Sequence, residues 1–321
     1  MCSSDLQHRE EVLDPGRPII DAHHHLWERP GNRYLIHEYL AEAQSGHDIR
    51  ASVFVDCGAF YRNTGPALMA PVGEVEFANG IAAMAASGTF GRTLVCAGIV
   101  GSADLSVGAA VGEVLDAQLA AGGGRFRGIR VSTKWDADEA LNTGRYIVPR
   151  GLMQDRDFRA GFAMLAPRRL SFDAMVYHTQ LGELADLARA FPDTTIVLNH
   201  IGGLIAMTRT YLPRREEAIA QWHSSMAALA TCPNVVVKLG GLGMAYLGLG
   251  FDRLAAPATS EQLAAAWGRF FAPCIESFGA QRCMFESNFP PDRDSVAYPV
   301  LWNAFKRFAA PCSEDEKHAL F

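Results

Sequence analysis

Three consecutive histidines, His23, His24 and His25, follow a short apolar segment near the amino end of the chain. Side chains on a strand alternate between its two faces, so His23 and His25 point the same way and His24 the opposite way. Two imidazoles separated by one residue can bind a single metal ion. Such an ion lowers the pKa of a bound water toward ~7 and polarises a carbonyl oxygen. A polar turn after a strand can have the same sequence. The triplet by itself therefore does not distinguish a metal-binding pair from such a turn.

Further chemically capable residues follow later apolar segments. His178 and His200 each follow one, and Glu286 opens the polar segment after another. His178 can add a third nitrogen to the pair formed by His23 and His25. Three protein ligands and one water make up the open arrangement of a catalytic zinc-type site. Four of the ten histidines therefore follow strand-like segments in positions that favour a shared site.

Eight short apolar segments must position these residues. They cover residues 18–22, 49–57, 93–100, 126–132, 172–177, 194–199, 234–239 and 282–285. Near-continuous apolar character predicts strands buried on both faces, as in parallel sheets. Helices are predicted between them at 74–87, 104–121, 155–166, 180–190, 214–231, 260–278 and 295–309.

Strands that alternate with helices eight times predict a closed (β/α)8 TIM barrel in a single domain. A doubly wound open sheet is the second choice. Neither GxGxxG after the first strand nor GxxxxGK[ST] occurs, which disfavours the nucleotide-binding sheets. A barrel builds its site at the carboxyl ends of its strands, where these histidines and Glu286 fall.

Composition indicates the class of protein but says nothing about the reaction. The chain has 321 residues, is 49% hydrophobic and 20% charged, and carries a net charge of −6, which is typical of a globular protein and gives no basic face for nucleic acid. No apolar run is long enough to span a membrane. Seven cysteines without a CxxC pair, and an amino end without a signal peptide, favour a cytoplasmic protein. We expect a polar arm over residues 1–17 and one barrel over 18–321.

Two loops and the carboxyl end depart from a minimal barrel. Residues 59–72 predict a long loop after the second strand, of the kind that covers a barrel site. Residues 240–250 form a glycine-rich loop after the seventh. The SEDE sequence at 313–316 predicts a capping box that opens a helix. Because the chain stops at Phe321, we expect that last helix to be shortened or lost.

Several motifs resemble the amidohydrolase superfamily, and more narrowly its "amidohydrolase 2" branch. They are IIDAHHHLW, FRGIRVS, IVLNHIGG, VVVKLGGLG and MFESNFPPD, in the expected order over residues 18–320. The branch contains lactonases that act on muconolactone-like, pyrone dicarboxylate and sugar-acid lactones. The resemblance implies a TIM-barrel hydrolase with one divalent metal ion or none. The ESNFP form is similar to that of sulfomuconolactone hydrolase-like members.

The resemblance assigns roles to the four histidines. His23 and His25 match the metal-binding pair, and His178 matches a fifth-strand histidine that is a ligand or a substrate contact. His200 matches the sixth-strand histidine that polarises the substrate or moves protons. The implied ion is zinc or manganese. Some members of the branch work without metal, so a metal-free enzyme stays open.

Asn288 is the main departure from the family pattern. It stands where the superfamily normally has an aspartate that binds metal and accepts the proton of the water. An amide has no basic carboxylate oxygen and cannot act as a general base. Glu286 shares its strand face and can take over that role, so His200 and Glu286 are both candidates for the base.

Substrate contacts are predicted from the loops and from the fourth strand. Arg130 resembles the fourth-strand arginine that binds a substrate carboxylate, and a structural salt bridge is its alternative. Trp135 follows on the same segment. Trp27 fits an apolar wall of the site or a core aromatic, and Tyr61 fits a polar substrate contact or a solvated loop residue.

The sequence thus predicts a lactonase that opens a carboxylate-bearing lactone with metal-activated water. The expected partner is an anionic small molecule, with no nucleic acid and no membrane, and a homodimer is compatible with the fold. A metal-dependent decarboxylase of an aromatic or enol acid is the first alternative. A non-catalytic ligand-binding barrel is the second.

Overall fold

Eight parallel strands form one sheet in the computed structural model, which describes residues 10–142, 148–245, 247 and 249–321. The strands are β1 Pro18–His24, β2 Asp48–Val55, β3 Leu94–Gly101, β4 Phe126–Ser132, β5 Ser171–Met175, β6 Ile196–Leu198, β7 Val235–Leu239 and β8 Cys283–Phe285. They are hydrogen-bonded in chain order from β1 to β8. A bridge between His24 and Phe289 brings the chain after β8 back to β1, so the sheet is a nearly closed TIM barrel.

Helices lie between and after the strands. They are α1 Ile36–Ala43, α2 Val72–Ala86, α3 Val111–Ala121, α4 Arg156–Phe162, α5 Leu181–Ala190, α6 Arg215–Ala230, α7 Ser260–Phe278, α8 Tyr298–Phe308 and α9 Glu314–Leu320. Short 3-10 segments are Ala67–Met69, Leu105–Ala110, Glu139–Leu141, Leu152–Gln154, Ala166–Arg168, His178–Gln180, Leu212–Arg214, Phe251–Arg253, Ala280–Arg282 and Pro291–Asp294. Within the described ranges, none of the helices is both long and apolar enough to cross a membrane.

The predicted strands are all present, and the barrel is confirmed. The fourth strand and helix 260–278 have the predicted bounds. Helix 104–121 is divided, because Gly108 with φ of 66° interrupts the 3-10 turn that precedes α3. Helix α1 was not predicted, and neither was the hairpin of Trp27–Arg29 and Asn32–Tyr34 that comes before it.

The core lies between the sheet and the helices around it. The strands are buried on both faces, as their apolar character requires. Trp222, Trp267 and Trp302 are fully buried helix residues. The ring of Phe285 on β8 stacks on Phe305 of α8 with centroids 4.5 Å apart. This packing holds the strand ends, and the polar residues that follow them, in fixed positions.

The carboxyl-terminal helix is formed over Glu314–Leu320, so the expectation that it is lost was wrong, while the expectation that it is shortened stays a prediction. Ser313 is its N-cap and makes the predicted capping box with Glu316. The final residue explains why the helix is kept. The Phe321 ring lies 4.9 Å from that of Phe285, and its carbonyl oxygen accepts a 2.7 Å hydrogen bond from the backbone of Ile20. The chain end therefore packs against both β1 and β8.

The predicted arm over residues 1–17 falls partly outside the described residues, which begin at 10. Residues 10–17 lie against α8. The ammonium of Lys306 donates hydrogen bonds to the carbonyl oxygens of Leu13, at 2.9 Å, and Asp14, at 2.8 Å. This stretch is therefore attached to the barrel by contacts to its backbone.

Candidate active site

The predicted site residues come from five strands of the barrel. His23 lies in β1 and Arg130 in β4, and both are buried. The residues that follow a strand end are His25 after β1, His178 after β5, His200 after β6, and Glu286 and Asn288 after β8. Each of these is also buried, with at most 4% of its surface exposed. Carboxyl ends of parallel strands meet at one end of a barrel, which is where such a site forms.

Glu286 lies between two of the histidines. Its Oε1 is 2.6 Å from Nδ1 of His200 and also accepts the backbone N–H of that residue at 3.2 Å. Its Oε2 is 2.6 Å from Nδ1 of His23, a close contact outside hydrogen-bond directions. Because a carboxylate can only accept, Nδ1 of His200 carries the hydrogen and Nε2 keeps its lone pair. One carboxylate therefore orients His200 as a proton acceptor and contacts His23.

The backbone around His200 is left-handed. The φ angles of His200 and Ile201 are 53° and 51°, and Gly202 and Gly203 continue with positive values. Glycine at position 241, in the loop after β7, is required by its neighbour: a Cβ there would lie 2.3 Å from Nδ1 of His200. The glycines in the IVLNHIGG and VVVKLGGLG motifs thus let two loops meet around the imidazole. Strand periodicity alone gave no sign of this turn.

The His23 and His25 side chains converge as the alternation predicts. Nδ1 of His25 lies 2.7 Å from the carbonyl oxygen of Val55, so it donates, and Nε2 keeps its lone pair. Nη1 of Arg130 lies 3.2 Å from Nε2 of His23, and a guanidinium can only donate, so this Nε2 is also an acceptor. The two Nε2 atoms are 3.2 Å apart. A cation shared by the two atoms would take the place of the Arg130 donor at His23, because an imidazole nitrogen has a single lone pair.

Both imidazoles are neutral, as metal ligands must be. Burial is the largest cause that lowers the pKa of His23 and of His25 well below the ordinary value, and neighbouring positive charges add to it. The hydrogen bond from His25 to Val55 fixes the orientation of that ring, as outer partners of metal-binding histidines do. The pair therefore fits a divalent metal ion.

A second grouping of possible ligand atoms overlaps this pair. One ligand atom each from His23, His200 and Glu286 lie within 4.8 Å of one another. The predicted ligand His178 is not in this group. Among the described residues neither of its ring nitrogens has a hydrogen-bond partner, although the side chain is buried. Its role as a third ligand stays a prediction that these unpaired nitrogens favour.

Arg130 makes the salt bridge that the sequence left as its alternative role. Nε donates to Oδ1 of Asp56 at 2.8 Å, and Nη2 donates to the Asp56 backbone oxygen. The same guanidinium faces His23, as described above. Asp56 therefore holds Arg130 against the histidine pair, and binding of a substrate carboxylate by Arg130 stays a prediction.

Asn288 is held by a carboxylate that the sequence analysis did not single out. Nδ2 of Asn288 donates to Oδ1 of Asp292 at 2.6 Å, and the backbone N–H of Gly243 donates to Oδ2 at 2.9 Å. Asp292 is fully buried, and this burial raises its pKa to about 8 even though both hydrogen bonds oppose the rise. The MFESNFPPD motif contains this residue, but Asp292 lies in the 3-10 segment Pro291–Asp294, to which strand alternation does not apply.

Asp21 ties the β1 end to the segment that carries Glu286. Oδ1 accepts the backbone N–H of Ser287 at 2.9 Å, and Oδ2 accepts its hydroxyl at 2.6 Å. The hydroxyls of Tyr39 and Tyr298 also donate to Oδ2, each at 3.1 Å. This buried network fixes the backbone next to Glu286 relative to the histidine pair.

The three predicted aromatic contacts differ in position. Trp27, buried in the hairpin, lies nearly parallel to His25 with ring centroids 6.1 Å apart. Trp135 and Tyr61 are half-buried, in the loops after β4 and β2. The structure thus brings Trp27 to the histidines, and substrate contacts of all three stay predictions.

Positive charges surround this end of the barrel. Burial, together with the charge of Arg130, lowers the pKa of Lys134 to about 8. Burial likewise lowers the pKa of His178 to about 4, an effect that Asp136 opposes and Arg214 reinforces. Lys134, Arg130 and Arg214 therefore contribute positive potential near the site, with Asp136 as an opposing charge.

A TIM barrel with imidazoles, a carboxylate and cationic side chains at its strand ends has the layout of an enzyme active site. The chain belongs to the amidohydrolase family, whose sequence profile matches residues 20–321. It is therefore a hydrolase, as the resemblance implied.

The chain is similar to curated proteins and to a solved structure. The chain is 33% identical to the uncharacterized protein y4mH of Sinorhizobium fredii over 94% of its own length and 95% of that protein. It is 26% identical to an L-fucono-1,5-lactonase of Burkholderia multivorans, over 62% of this chain and 61% of that enzyme. An amidohydrolase of Burkholderia multivorans solved with bound zinc shares the fold, with a TM-score of 0.69 and 24% identity over 94% of this chain and 95% of that one.

Proposed function

We propose that the protein is a lactonase that opens a lactone bearing a carboxylate, such as a muconolactone-like or sugar-acid lactone. The observation that carries the proposal is the shared carboxylate of Glu286, which contacts His200 and His23 at 2.6 Å each. It joins a proton acceptor to the histidine pair. The similarity to L-fucono-1,5-lactonases supports a lactone as the bond that is opened.

His200 is the proton-transfer residue in this proposal. Its Nδ1 donates to Glu286, so Nε2 can take a proton from water as it attacks the lactone carbonyl and return it to the leaving oxygen. Glu286 holds the tautomer and stabilises the imidazolium that forms, as the carboxylate of a catalytic triad does. This division of roles assigns the base to His200 and the orienting charge to Glu286.

His23 and His25 would hold a divalent metal ion, zinc or manganese, with His178 as the third ligand. Such an ion, when bound, supplies Lewis-acid polarisation of the carbonyl and a lowered pKa for water. Arg130 contributes a positive charge beside His23 that can stabilise developing negative charge on the lactone oxygen. If the enzyme works without metal, this guanidinium is the electrophile that remains.

The substrate's anionic group is proposed to contact the cationic side of the site. Arg130 has N–H groups beyond those that bond Asp56 and His23, because a guanidinium carries five. Lys134 follows on the same segment and keeps its charge at neutral pH, although its pKa is lowered to about 8. An anionic substrate is therefore favoured over a neutral one.

A lactone library with a pH-indicator readout, run with and without chelator, tests the proposal. We expect acid release from one or more carboxylate-bearing lactones and weaker turnover after chelation. Release of CO2 from an aromatic or enol acid would favour the decarboxylase instead. Ligand binding without turnover across the panel would favour a binding barrel.

A further inference from the structure

The hydrogen-bonded pair of Asn288 and Asp292 has no role in the lactonase proposal. We infer that Asp292 is a positioning residue, which turns the side-chain amide of Asn288 so that its carbonyl oxygen faces the histidine site. The activity test of this inference rests on the proposed function, whereas the zinc-binding and structural tests do not. It names a second carboxylate after β8 that acts through its neighbour.

The hydrogen bonds of Asp292 determine which end of the amide it holds. Oδ2 accepts the backbone N–H of Gly243 at 2.9 Å, and Oδ1 lies 2.6 Å from Asn288. With both oxygens acting as acceptors, the group that Asn288 presents to Asp292 is its NH2. Oδ1 of Asn288 is then on the other side of the amide.

The backbone of Asn288 lies beside the site. The N–H of Asn288 donates to the carbonyl oxygen of His23 at 2.9 Å, and its φ of 51° is a left-handed conformation that asparagine tolerates. Glu286, two residues earlier, contacts His23 and His200. Asn288 is therefore fixed at both its backbone and its side chain.

Electrostatics favour a neutral side-chain oxygen at position 288 over a carboxylate. An aspartate at 288 would set two carboxylates against each other at about hydrogen-bond distance, a geometry in which both cannot be ionised. Glu286 already supplies one negative charge to the site. The chain thus keeps an oxygen acceptor at 288, available to a water or a cation, and places the acidic group four residues away at Asp292.

Exchanging the two residues provides the test. In D292N, one side-chain oxygen and one NH2 face two N–H donors, so the amide of Asn288 loses its anchor. We expect kcat to fall ~10–100-fold with a smaller change in KM, the usual effect of losing an outer partner of a metal or catalytic group. N288D should lose a similar factor, because the two facing carboxyl groups must then share a proton and the neutral amide is lost. The double variant N288D/D292N reverses the hydrogen bond and should recover about tenfold over either single variant.

D294N is the matched control, because Asp294 is an exposed aspartate of the same 3-10 segment. It should keep the activity of the unchanged protein. A D292N variant that folds and keeps kcat within about twofold overturns the inference, as does a double variant no better than the singles. A circular dichroism melt checks folding.

A second readout separates this inference from the lactonase proposal. Equilibrium dialysis against zinc alone should give ~10-fold weaker binding for D292N than for D294N, and unchanged binding overturns the inference. If the unchanged protein opens no lactone while D292N still weakens zinc binding, only the lactonase proposal fails. If the unchanged protein neither opens a lactone nor binds zinc, a neutron structure of D292N decides, because neutrons distinguish the amide oxygen from its NH2: an Asn288 amide in its original orientation overturns the inference.

Discussion

Nδ1 of His200 lies 2.6 Å from Oε1 of Glu286, although the two residues are 86 positions apart. They follow strands β6 and β8, and the loop after β7 passes over the imidazole through Gly241. The backbone N–H of His200 donates to the same oxygen at 3.2 Å. The carboxylate of Glu286 thus fixes both the side chain and the backbone of His200. A general base must be held in this way if its free nitrogen is to contact a reacting water.

Replacing Glu286 by glutamine should nearly abolish turnover. E286Q keeps the shape but removes the negative charge, and its NH2 would face an N–H of one of the two histidines. We expect kcat to fall by roughly 10³–10⁴, as when the carboxylate of a catalytic triad becomes an amide. Steady-state kinetics on the cognate lactone measure it. E276Q is the control, because Glu276 is an exposed glutamate on α7. If the kcat of E286Q equals that of E276Q, Glu286 has no part in catalysis.

Replacing His200 by asparagine should remove the proton-transfer group. We expect kcat to fall by about 10²–10⁴, the contribution of a positioned general base. The loss should persist at every pH at which the protein is folded, because asparagine does not titrate. H223N, at an exposed helix position, controls for a general effect of losing a histidine. A near-normal kcat for H200N would exclude His200 from the mechanism.

The convergence of His23 and His25 could be predicted because it depends only on strand alternation. His24 indeed turns away, and its Nε2 lies 3.0 Å from the hydroxyl of Ser52. The contact between Glu286 and His200 could not be predicted in this way. It depends on a left-handed turn after β6 and on how far the β8 segment reaches across the barrel, and neither follows from the local pattern.

The fold was more predictable than the loops for a similar reason. Strands buried on both faces are apolar runs, and all eight were found. Helix α1 and the preceding hairpin are short and mix polar with apolar residues, so their formation depends on tertiary contacts. The last helix shows the same dependence, since Phe321 forms contacts to β1 and β8 that local sequence does not report.

Metal content should depend on His25. The purified protein should hold about one equivalent of zinc or manganese, and H25A should hold much less, because one of the two facing Nε2 atoms is lost. Elemental analysis after gel filtration measures it, with exposed His37 replaced by alanine as the control. Less than about a tenth of an equivalent in the unchanged protein, with full activity, would contradict a metal role for this pair.

Lys134 offers a test of substrate charge. K134M should raise KM for a carboxylate-bearing lactone by about 5–50-fold while kcat changes little, since a cation that binds a remote anionic group contributes equally to ground and transition states. A neutral lactone of the same ring size should show no such change. Equal effects on the two lactones would mean that Lys134 acts through the fold of the β4 loop and not through its charge.

A histidine outside the site should control part of the pH dependence of stability. Nδ1 of His47 accepts a hydrogen bond from the ammonium of Lys306 at 2.9 Å, while Nε2 donates to the carbonyl oxygen of Pro299 at 3.0 Å. Burial lowers the pKa of His47 from 6.5 to about 4, and the charge of Lys306 adds to the effect. The folded protein therefore holds this imidazole neutral in a range where the unfolded chain would protonate it.

Because the folded pKa is the lower one, the stability due to neutral His47 is complete above pH 6.5 and is lost as the pH falls toward 4. The free energy of unfolding of the unchanged protein should fall by about 1–2 kcal/mol more than that of H47Q between pH 7 and pH 5. Urea titrations at the two pH values measure it. Buried His24 and His178 titrate in both proteins, so the difference isolates His47. If the two proteins lose the same free energy of unfolding, the imidazole of His47 is not held neutral beside Lys306.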